Sequence, residues 1–322
     1  MASNHGHEHH GHAHQGHDHH GHSHGGGHGH APASFGMAFA IGTALNAAFV
    51  AAQVFYGLLA HSVALLADAI HNFGDVLGLL IAWGATLLLK RLPTQERTYG
   101  WGRGTILASL ANAIVLLVGC GAIALEAVQR LNDPTPVGGP TVMGVAALGI
   151  LINGATALLF MRGRKGDLNV RGAFLHMASD AAVSAGVVVA GLLIALTGWA
   201  WLDPFTSLAI VVVIVAGTWS LLRDSVNLAL DAVPEGIELA KVESALRALP
   251  DVLDVHDLHV WGLSTTETAL TAHLVHGGGD APGLILRAVE EVRVHFQIGH
   301  ATFQVETPEL AEACALRPAD VV

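Results

Sequence analysis

The sequence predicts an α-helical membrane bundle of six transmembrane helices, followed by a small α+β domain of the ferredoxin-like kind. Only 13% of the 322 residues are charged and 52% are hydrophobic. Several apolar runs also reach the length of about 20 residues that a helix needs to cross a bilayer. This composition disfavours a large soluble helical enzyme. Lysine and arginine are too sparse and scattered to follow a phosphate backbone, which argues against nucleic acid as a partner.

Residues 1–34 are predicted to form a disordered arm, because they hold 13 of the 22 histidines and almost nothing that could build a core. Neutral imidazole suits zinc, copper, nickel and cobalt, so the arm is expected to capture divalent ions weakly and at many points. An engineered purification tag is the alternative, but tags are usually uninterrupted histidines and this tract is irregular. The candidate capturing residues are His5, His7, His9, His10, His12, His14, His17, His19, His20, His22, His24, His28 and His30.

Residues 35–230 contain six apolar runs separated by short polar loops, and each run is predicted to span the membrane. Lysine and arginine concentrate in the loops after the second and fourth runs, whereas Arg130 alone lies on the other side. The positive-inside rule therefore places both termini in the cytoplasm. The N-terminus lacks the features of a cleaved signal peptide, so the first run is expected to remain. The predicted spans are 35–58, 63–89, 105–130, 141–161, 172–196 and 205–228.

Residues 231–310 are predicted to form a soluble cytoplasmic domain, because charges return and the apolar runs shorten. The order αββαβ with short strands favours a small open sheet with helices on one face. Residues 311–322 form a C-terminal tail, and its Cys314 is interpreted as a surface thiol, with no paired thiolate metal site expected. The predicted helices lie near 237–249 and 283–296, and the predicted strands are 253–262, 267–276 and 300–306.

The second and fifth spans each contain His-x3-Asp, as His71 with Asp75 and His176 with Asp180. Residues i and i+4 lie one turn apart on one helix face, so each span offers an imidazole beside a carboxylate. Two such faces opposed would supply two nitrogens and two oxygens, a natural tetrahedral set for Zn²⁺. A carboxylate near the bilayer centre costs on the order of 2.5–3.5 kcal/mol, so such residues usually serve function. Metal-free hydrogen bonding between helices is the alternative, but it does not explain two copies of one spacing.

Asp68 lies three residues before His71, on much the same helix face. It is interpreted as an acceptor that orients His71, with a proton carrier or a helix-end residue as alternatives. Zinc needs neutral imidazole and ionised carboxylate, so protons compete with the metal for these ligands. A site open alternately to the two sides would exchange Zn²⁺ for protons. His71 and His176 are the expected proton carriers, because histidine titrates near neutrality.

Five segments in a characteristic order carry a resemblance to a known family. They run from Ser62 to Asp75, Arg97 to Arg103, Leu168 to Asp180, Thr197 to Pro204 and His256 to Trp261. On them the chain resembles a cation diffusion facilitator of the bacterial zinc, cobalt and cadmium resistance branch, over residues 35–310. The resemblance implies a homodimer in the bacterial cytoplasmic (inner) membrane, proton-coupled metal export and a metal-binding cytoplasmic domain. It also supports the four-residue site of the second and fifth spans.

The resemblance further implies that zinc binds some histidines on or beside the three predicted strands, as a regulatory ligand. Strand alternation predicts opposite faces for His256 and His259, so one ion is not expected to take both. His300 and Glu306 lie about 20 Å apart along a straight strand and are not expected to share an ion. The favoured set is His256, His273 and His300, and satisfied or solvated histidines are the alternative. The histidines interpreted as surface residues are His276 and His295.

These observations predict a transporter, not an enzyme. The predicted activity is proton-coupled efflux of Zn²⁺, with Cd²⁺ and Co²⁺ as further candidate substrates, and the expected partners are divalent metal ions, protons, the lipid bilayer and a second copy of the chain. A zinc-dependent intramembrane hydrolase would need an open coordination position and a general base, as in His-Glu-x-x-His, which the sequence lacks. A non-transporting metal sensor would give no reason for charged ligands inside the bilayer. No metal is predicted in the loop after the second span, where some relatives have a histidine, because 96–103 contains none.

Overall fold

The structure, a computed structural model, describes residues 37–89, 91–133, 135–161 and 168–316. The histidine-rich arm therefore lies outside the described residues. The described N-terminal part contains six long helices whose bounds follow the predicted runs closely, because each run is followed in the sequence by polar or glycine residues. These helices are α1 (Met37–Leu59), α2 (Val63–Leu89), α3 (Arg103–Asn132), α4 (Gly139–Met161), α5 (Leu168–Thr197) and α6 (Leu202–Ala229).

Four helices of the described chain contain segments long and apolar enough to cross a membrane. The other two, α1 and α4, contain shorter apolar segments, Thr43–Leu59 and Gly139–Ala155. The helical membrane domain is thus confirmed, while the spanning of α1 and α4 stays a prediction. The four longer segments are Val63–Ile81, Arg103–Asn132, Leu175–Thr197 and Leu202–Ala229.

Helix α2 lies in the middle of the bundle, where it contacts α1, α3, α5 and α6. The most extensive helix–helix contacts are between α4 and α5 and between α3 and α6. Small residues permit this approach: a Cβ added at Gly139 of α4 would lie 2.8 Å from the carbonyl oxygen of Gly191 on α5. The packing holds α2 and α5 at fixed positions, and these two helices carry the predicted site.

The start of α2 is capped by a carboxylate from α6. Asp203 accepts a hydrogen bond from the Ser62 hydroxyl (2.5 Å) and another from the backbone N–H of Val63 (2.7 Å). The first N–H groups of a helix have no partner within the helix, so this buried carboxylate satisfies them from a neighbouring helix. The contact ties α2 to α6 at the end of the bundle away from the C-terminal domain, which we call the outer end.

The C-terminal domain has the predicted αββαβ order, followed by one short helix. Strand β2 lies between the other two, antiparallel to β1 and parallel to β3. The small sheet is confirmed, and the ferredoxin-like assignment stays a prediction. The elements are α7 (Leu239–Arg247), β1 (Val252–Gly262), β2 (Thr268–His276), α8 (Ala281–Phe296), β3 (His300–Glu306) and α9 (Pro308–Ala313).

The two faces of the sheet differ. On one face, α7 and α8 bury Val242, Leu246, Leu284 and Val292 against Leu270 and other apolar residues of the strands. The alternate strand positions therefore point to the other face. Helix α9 contacts β2 and β3, and Cys314, which follows it, lies beside His273 of β2.

Strand β1 contains one extra residue between His256 and His259. His256 pairs with His273 and His259 pairs with Thr271, so three steps on β1 match two on β2. Asp257, within this bulge, has a φ of 51°, a left-handed conformation that aspartate adopts more readily than most residues. The bulge puts His256 and His259 on one face. The prediction of opposite faces is wrong, because it assumed an unbroken alternation.

The start of α3 and the residue before it dock on the C-terminal domain. Arg103 forms an ion pair with Asp231 at the end of α6, and the Thr105 hydroxyl accepts a hydrogen bond from the Thr265 N–H in the β1–β2 turn (3.0 Å). A Cβ added at Gly102 would lie 2.7 Å from the Leu263 carbonyl oxygen, so the turn requires glycine there. This end of the bundle, next to the C-terminal domain, is the inner end.

Candidate functional site

Helices α2 and α5 bring together the four residues that the His-x3-Asp spacing predicted. His71 Nε2 lies 2.9 Å from Asp180 Oδ1, and His176 Nε2 lies 3.2 Å from Asp75 Oδ1. His176 Nε2 also lies 3.7 Å from Asp180 Oδ2. Each histidine thus pairs with the carboxylate of the other helix, and the group crosses the α2–α5 contact.

The distances in this group suit a metal ion. His71, Asp75 and Asp180 offer ligand atoms that all lie within 4.8 Å of one another. His176 is outside this closest set but lies near Asp75 and Asp180, and its ring is 6.5 Å from that of His71 between centroids. Ligand atoms at about 2.1 Å from a tetrahedral zinc lie about 3.4 Å apart. The group therefore needs small side-chain movements to close around one ion.

Exposure of the four side chains rises toward the inner end of the bundle. The exposed fraction is 30% for Asp75, 26% for His176 and 19% for His71, but only 2% for Asp180. Asp68, one turn further toward the outer end of α2, is 1% exposed. The two members nearer the inner end, Asp75 and His176, are therefore the more exposed pair, and the side chains nearer the outer end are the more buried.

A buried hydrogen-bonded cluster closes the outer side of the site, and we call Gln53, Asp68, Asn72 and Ser184 the outer cluster. Gln53 Nε2 donates to Asp68 Oδ2 (2.7 Å), and Ser184 Oγ donates to the same oxygen (3.3 Å). Asn72 Nδ2 donates to Gln53 Oε1 (3.0 Å). Four buried polar side chains thus join α1, α2 and α5. The described hydrogen bonds of the Asp68 carboxylate go to Gln53 and Ser184, and its role as an acceptor that orients His71 stays a prediction.

The C-terminal domain contains a second group of metal-ligand type, formed by His256, His273, Glu306 and Cys314. His273 Nδ1 lies 3.3 Å from His256 Nε2, 3.1 Å from Glu306 Oε1 and 3.7 Å from Cys314 Sγ. His256 Nε2 lies 3.3 Å from Glu306 Oε2. One ligand atom from each residue lies within 4.8 Å of the others.

Sheet register explains which residues join this group. His256 and His273 are directly opposite on β1 and β2. On the parallel strand β3, Glu306 is level with Val275, close to His273, whereas His300 is level with Ala269. Four residues of strand separate Ala269 from His273, a distance of about 13 Å.

His300 therefore lies away from His256 and His273, although the three were predicted together. It is exposed, and its ring contacts Tyr99, 5.4 Å away between centroids. His300 and Glu306 are too far apart along β3 to share an ion, as the sequence predicted. Glu306, and not the predicted His300, joins His256 and His273, because the register of β3 against β2 places it nearer to them.

The donor set fits a zinc ion. Glu306 is 1% exposed, and its Oε2 and His256 Nδ1 are buried without a hydrogen-bond partner in the described residues. Two imidazole nitrogens, a carboxylate and a thiol together form a donor set that zinc binds tetrahedrally. Cys314 was interpreted as a surface thiol, but it is half-buried against His273. No signal in the sequence marked Cys314 as a metal-ligand candidate, because it has no second cysteine nearby. Only its position after α9, beside His273, indicates that it can be one.

Two other histidines of the domain differ from each other. His295 is exposed on α8 beside Glu291, as a surface residue should be. His276 at the end of β2 is buried, and its Nδ1 lies 3.2 Å from the Asp251 carbonyl oxygen. The surface interpretation of His276 is wrong, because alternation puts it on the same face as Leu270 and Leu274, which the helices cover.

Comparison with known proteins assigns the same two regions. Residues 39–228 match the cation efflux transmembrane domain, and residues 234–308 match the cytoplasmic domain of cation efflux proteins. The metal cation efflux system protein CzcD of Cupriavidus metallidurans is 35% identical, over 90% of this chain and 93% of that protein. The zinc transporter ZitB of Escherichia coli is 37% identical, over 81% of this chain and 84% of ZitB. The cadmium, cobalt and zinc/H(+)-K(+) antiporter of Bacillus subtilis is 29% identical, over 87% and 92% of the two chains.

Proposed function

Because the chain belongs to the cation efflux family, whose members include metal efflux transporters, we propose that it exports Zn²⁺ across a membrane in exchange for protons. The ion binds between α2 and α5, at His71, Asp75, His176 and Asp180. The single observation that carries this proposal is the crosswise pairing of two histidines and two carboxylates inside an apolar helix bundle. Cd²⁺ and Co²⁺ are further candidate substrates, since ligand type alone does not set selectivity.

Ligand protonation supplies the driving force. Zinc binds deprotonated imidazole and carboxylate, so each ion that binds displaces protons and each proton that returns weakens zinc binding. In the structure His71 and His176 each lie within about 3 Å of a carboxylate, where a proton can take the place of the ion. A proton gradient directed inward therefore favours release of zinc on the outer side.

The exposure gradient supports export from the cytoplasm. The inner end of the bundle carries the domain whose match is described as cytoplasmic, and the basic loops point the same way. Both termini are then cytoplasmic, in the cytoplasmic (inner) membrane of a bacterium. In this orientation the site faces the cytoplasm through Asp75 and His176, and the outer cluster is the closure that opens to release the ion.

The cytoplasmic domain holds a second, resident zinc ion at His256, His273, Glu306 and Cys314. A zinc ion there joins β1, β2 and β3 to the segment after α9, since its ligands come from all four places. It serves as a regulatory ligand: it stabilises the domain that docks on α3 through Thr265 and Arg103. The functional unit is a homodimer, as the family resemblance implies.

The two alternatives have less support. The relatives named above are transporters, which points to a transporter and not to a catalyst. A sensor that does not transport would leave the α2–α5 group without a role. Neither alternative predicts vectorial movement of zinc.

Vectorial movement is therefore the test. The full chain is reconstituted in vesicles that contain a zinc-sensitive dye, and a pH gradient is imposed. We expect rapid zinc uptake by correctly oriented molecules, its loss when the gradient is dissipated, and its loss in Asp75→Ala and Asp180→Ala. Absence of zinc movement by the wild type, or movement at the wild-type rate in both variants, would contradict the proposal. The same assay with Cd²⁺, Co²⁺, Ni²⁺ and Mn²⁺ gives the substrate range.

A further inference from the structure

We propose that Asp257 is the positioning residue of the cytoplasmic metal group: its carboxylate accepts the Nε2–H of His273 and so presents the Nδ1 lone pair to the ion. The inference rests on the proposed zinc site of the cytoplasmic domain. It starts from the position of His273 at the centre of the group. His273 Nδ1 faces His256, Glu306 and Cys314, while His273 Nε2 lies 3.5 Å from Asp257 Oδ2 on its other side.

The bulge in β1 puts Asp257 in this position. In a regular strand the residue after His256 would point to the opposite face, toward α7 and α8. The left-handed backbone of Asp257, with φ of 51°, breaks the alternation, and the carboxylate lies beside His273 with 13% of its side chain exposed. A strained backbone at a site with a specific contact is typical of a functional position.

The second oxygen of the carboxylate is also held. His259 Nε2 lies 2.9 Å from Asp257 Oδ1. The bulge puts His259 on the same face, and His259 lines an open cavity of about 720 Å³ together with Arg103 and Trp261. Asp257 is thus fixed between two imidazoles, and only one of them belongs to the metal group.

The other histidine of the group lacks such support. His256 Nδ1 is buried without a hydrogen-bond partner in the described residues, and Glu306 is held through Gln304 Nε2, which donates to Glu306 Oε1 (2.7 Å). Among the described contacts of the two ligand imidazoles, Asp257 is therefore the carboxylate outside the metal group that can fix a tautomer. Such partners orient metal-bound histidines and typically change metal affinity about 10–100-fold.

The experiment uses Co²⁺ as the probe, in the full chain in detergent. A thiolate bound to Co²⁺ gives a near-ultraviolet charge-transfer band, whereas imidazole and carboxylate ligands do not. The chain has two cysteines, and Cys120 is buried in α3. The band therefore reports the Cys314 site separately from the α2–α5 site and from the histidine-rich arm. Titration of the band with Co²⁺, then its displacement with Zn²⁺, gives the affinities.

Three variants separate the carboxylate from the backbone. Asp257→Asn keeps the shape and one acceptor oxygen, and Asp257→Gly keeps the left-handed backbone without any side chain. We expect cobalt and zinc to bind about 10-fold more weakly in the first and up to about 100-fold more weakly in the second. Asp254→Asn is the matched control on the same strand, because Asp254 pairs with Arg247 and lies outside the metal group. Its affinity should stay within about twofold of the wild type.

The outcomes are distinguishable. Wild-type affinity in both Asp257 variants, or weaker binding in Asp257→Asn than in Asp257→Gly, would overturn the positioning role, because a backbone role alone favours glycine. A wild-type band that survives Cys314→Ser, or no band at all, would instead overturn the proposed cytoplasmic site on which the inference rests. Graded loss with the thiolate band still present supports both.

Discussion

The α2–α5 group and the cytoplasmic group are built from similar residues but in different ways. The first is a pair of helix turns, and three of its four side chains are 19% to 30% exposed. The second is a set of strand positions covered by the segment after α9, with Glu306 1% exposed and a thiol in place of a second carboxylate. An ion that must enter and leave suits the open group. An ion that stays suits the buried group, where leaving requires a segment of chain to move.

The largest difference between the two groups is expected when one buried carboxylate of each is replaced by its amide. Asp180→Asn removes a charged member of the proposed transport site, so we expect zinc transport to fall by more than the roughly 100-fold that supporting residues cost. Glu306→Gln should leave the maximal rate within about threefold, because Glu306 contacts no residue of the α2–α5 group. Transport of zinc into proteoliposomes measures both. Ser179→Ala, an exposed neighbour whose hydroxyl donates to Leu175 O, is the control. An equal loss of zinc transport in Asp180→Asn and Glu306→Gln would contradict the separate roles of the two groups.

Zinc should also protect the two regions differently. At a free zinc concentration 100 times its dissociation constant, a resident ion stabilises the folded domain by about 2.7 kcal/mol. We expect slower hydrogen exchange at the backbone N–H of Leu310 and Ala311, which the Thr307 cap already holds. The protection should vanish in Cys314→Ser. The protection should persist in Asp180→Asn. Its disappearance in that variant would mean that zinc binding at the cytoplasmic group depends on the α2–α5 group.

A smaller effect is expected from a substitution in the outer cluster. Asp68→Leu leaves the Gln53 amide buried without its acceptor, which costs the closed state about 1–3 kcal/mol and increases opening about 5- to 150-fold. A reporter cysteine at the buried Ala67, in a Cys120→Ala background, should then react faster with a membrane-impermeant thiol reagent added outside. Asp68→Asn keeps one acceptor oxygen and should show a smaller increase. Unchanged labelling in Asp68→Leu would remove the cluster from the closure.

The histidine-rich arm should give the smallest change. Deleting residues 1–30 removes weak capture sites, so transport at low zinc should need a roughly two- to fivefold higher concentration, the scale expected when only the local ion concentration changes. The maximal rate should remain. Transport kinetics across a range of buffered zinc concentrations separate the two parameters. Loss of all transport would show that the arm does more than capture ions.

The helical half was predictable because its signals are local. Apolar runs set α1 to α6, and the spacing of His71 with Asp75 and of His176 with Asp180 fixed one face of each helix. Sequence could not tell that each histidine pairs across to the other helix. It also could not assign the hydrogen bonds of Asp68 to Gln53 and Ser184, because those depend on how α1 and α5 pack around α2.

The sheet half was predictable as an order of elements but not as a site. Two facts beyond the element order built the cytoplasmic group: the parallel register that put Glu306 near His273, and the return of the tail that brought in Cys314. Each joins residues distant in sequence. His300 and Glu306 share one face of β3 by alternation, so only the register of β3 against β2 could choose between them.

The sequence by itself therefore determined the membrane bundle, the small sheet and the four residues of α2 and α5, because helix periodicity acts over a single turn. Only the tertiary structure decided which side chains of the α2–α5 group are exposed and which residues share the cytoplasmic group. Those features depend on helix packing and strand register. Both arise from contacts between segments that the chain brings together only when it folds.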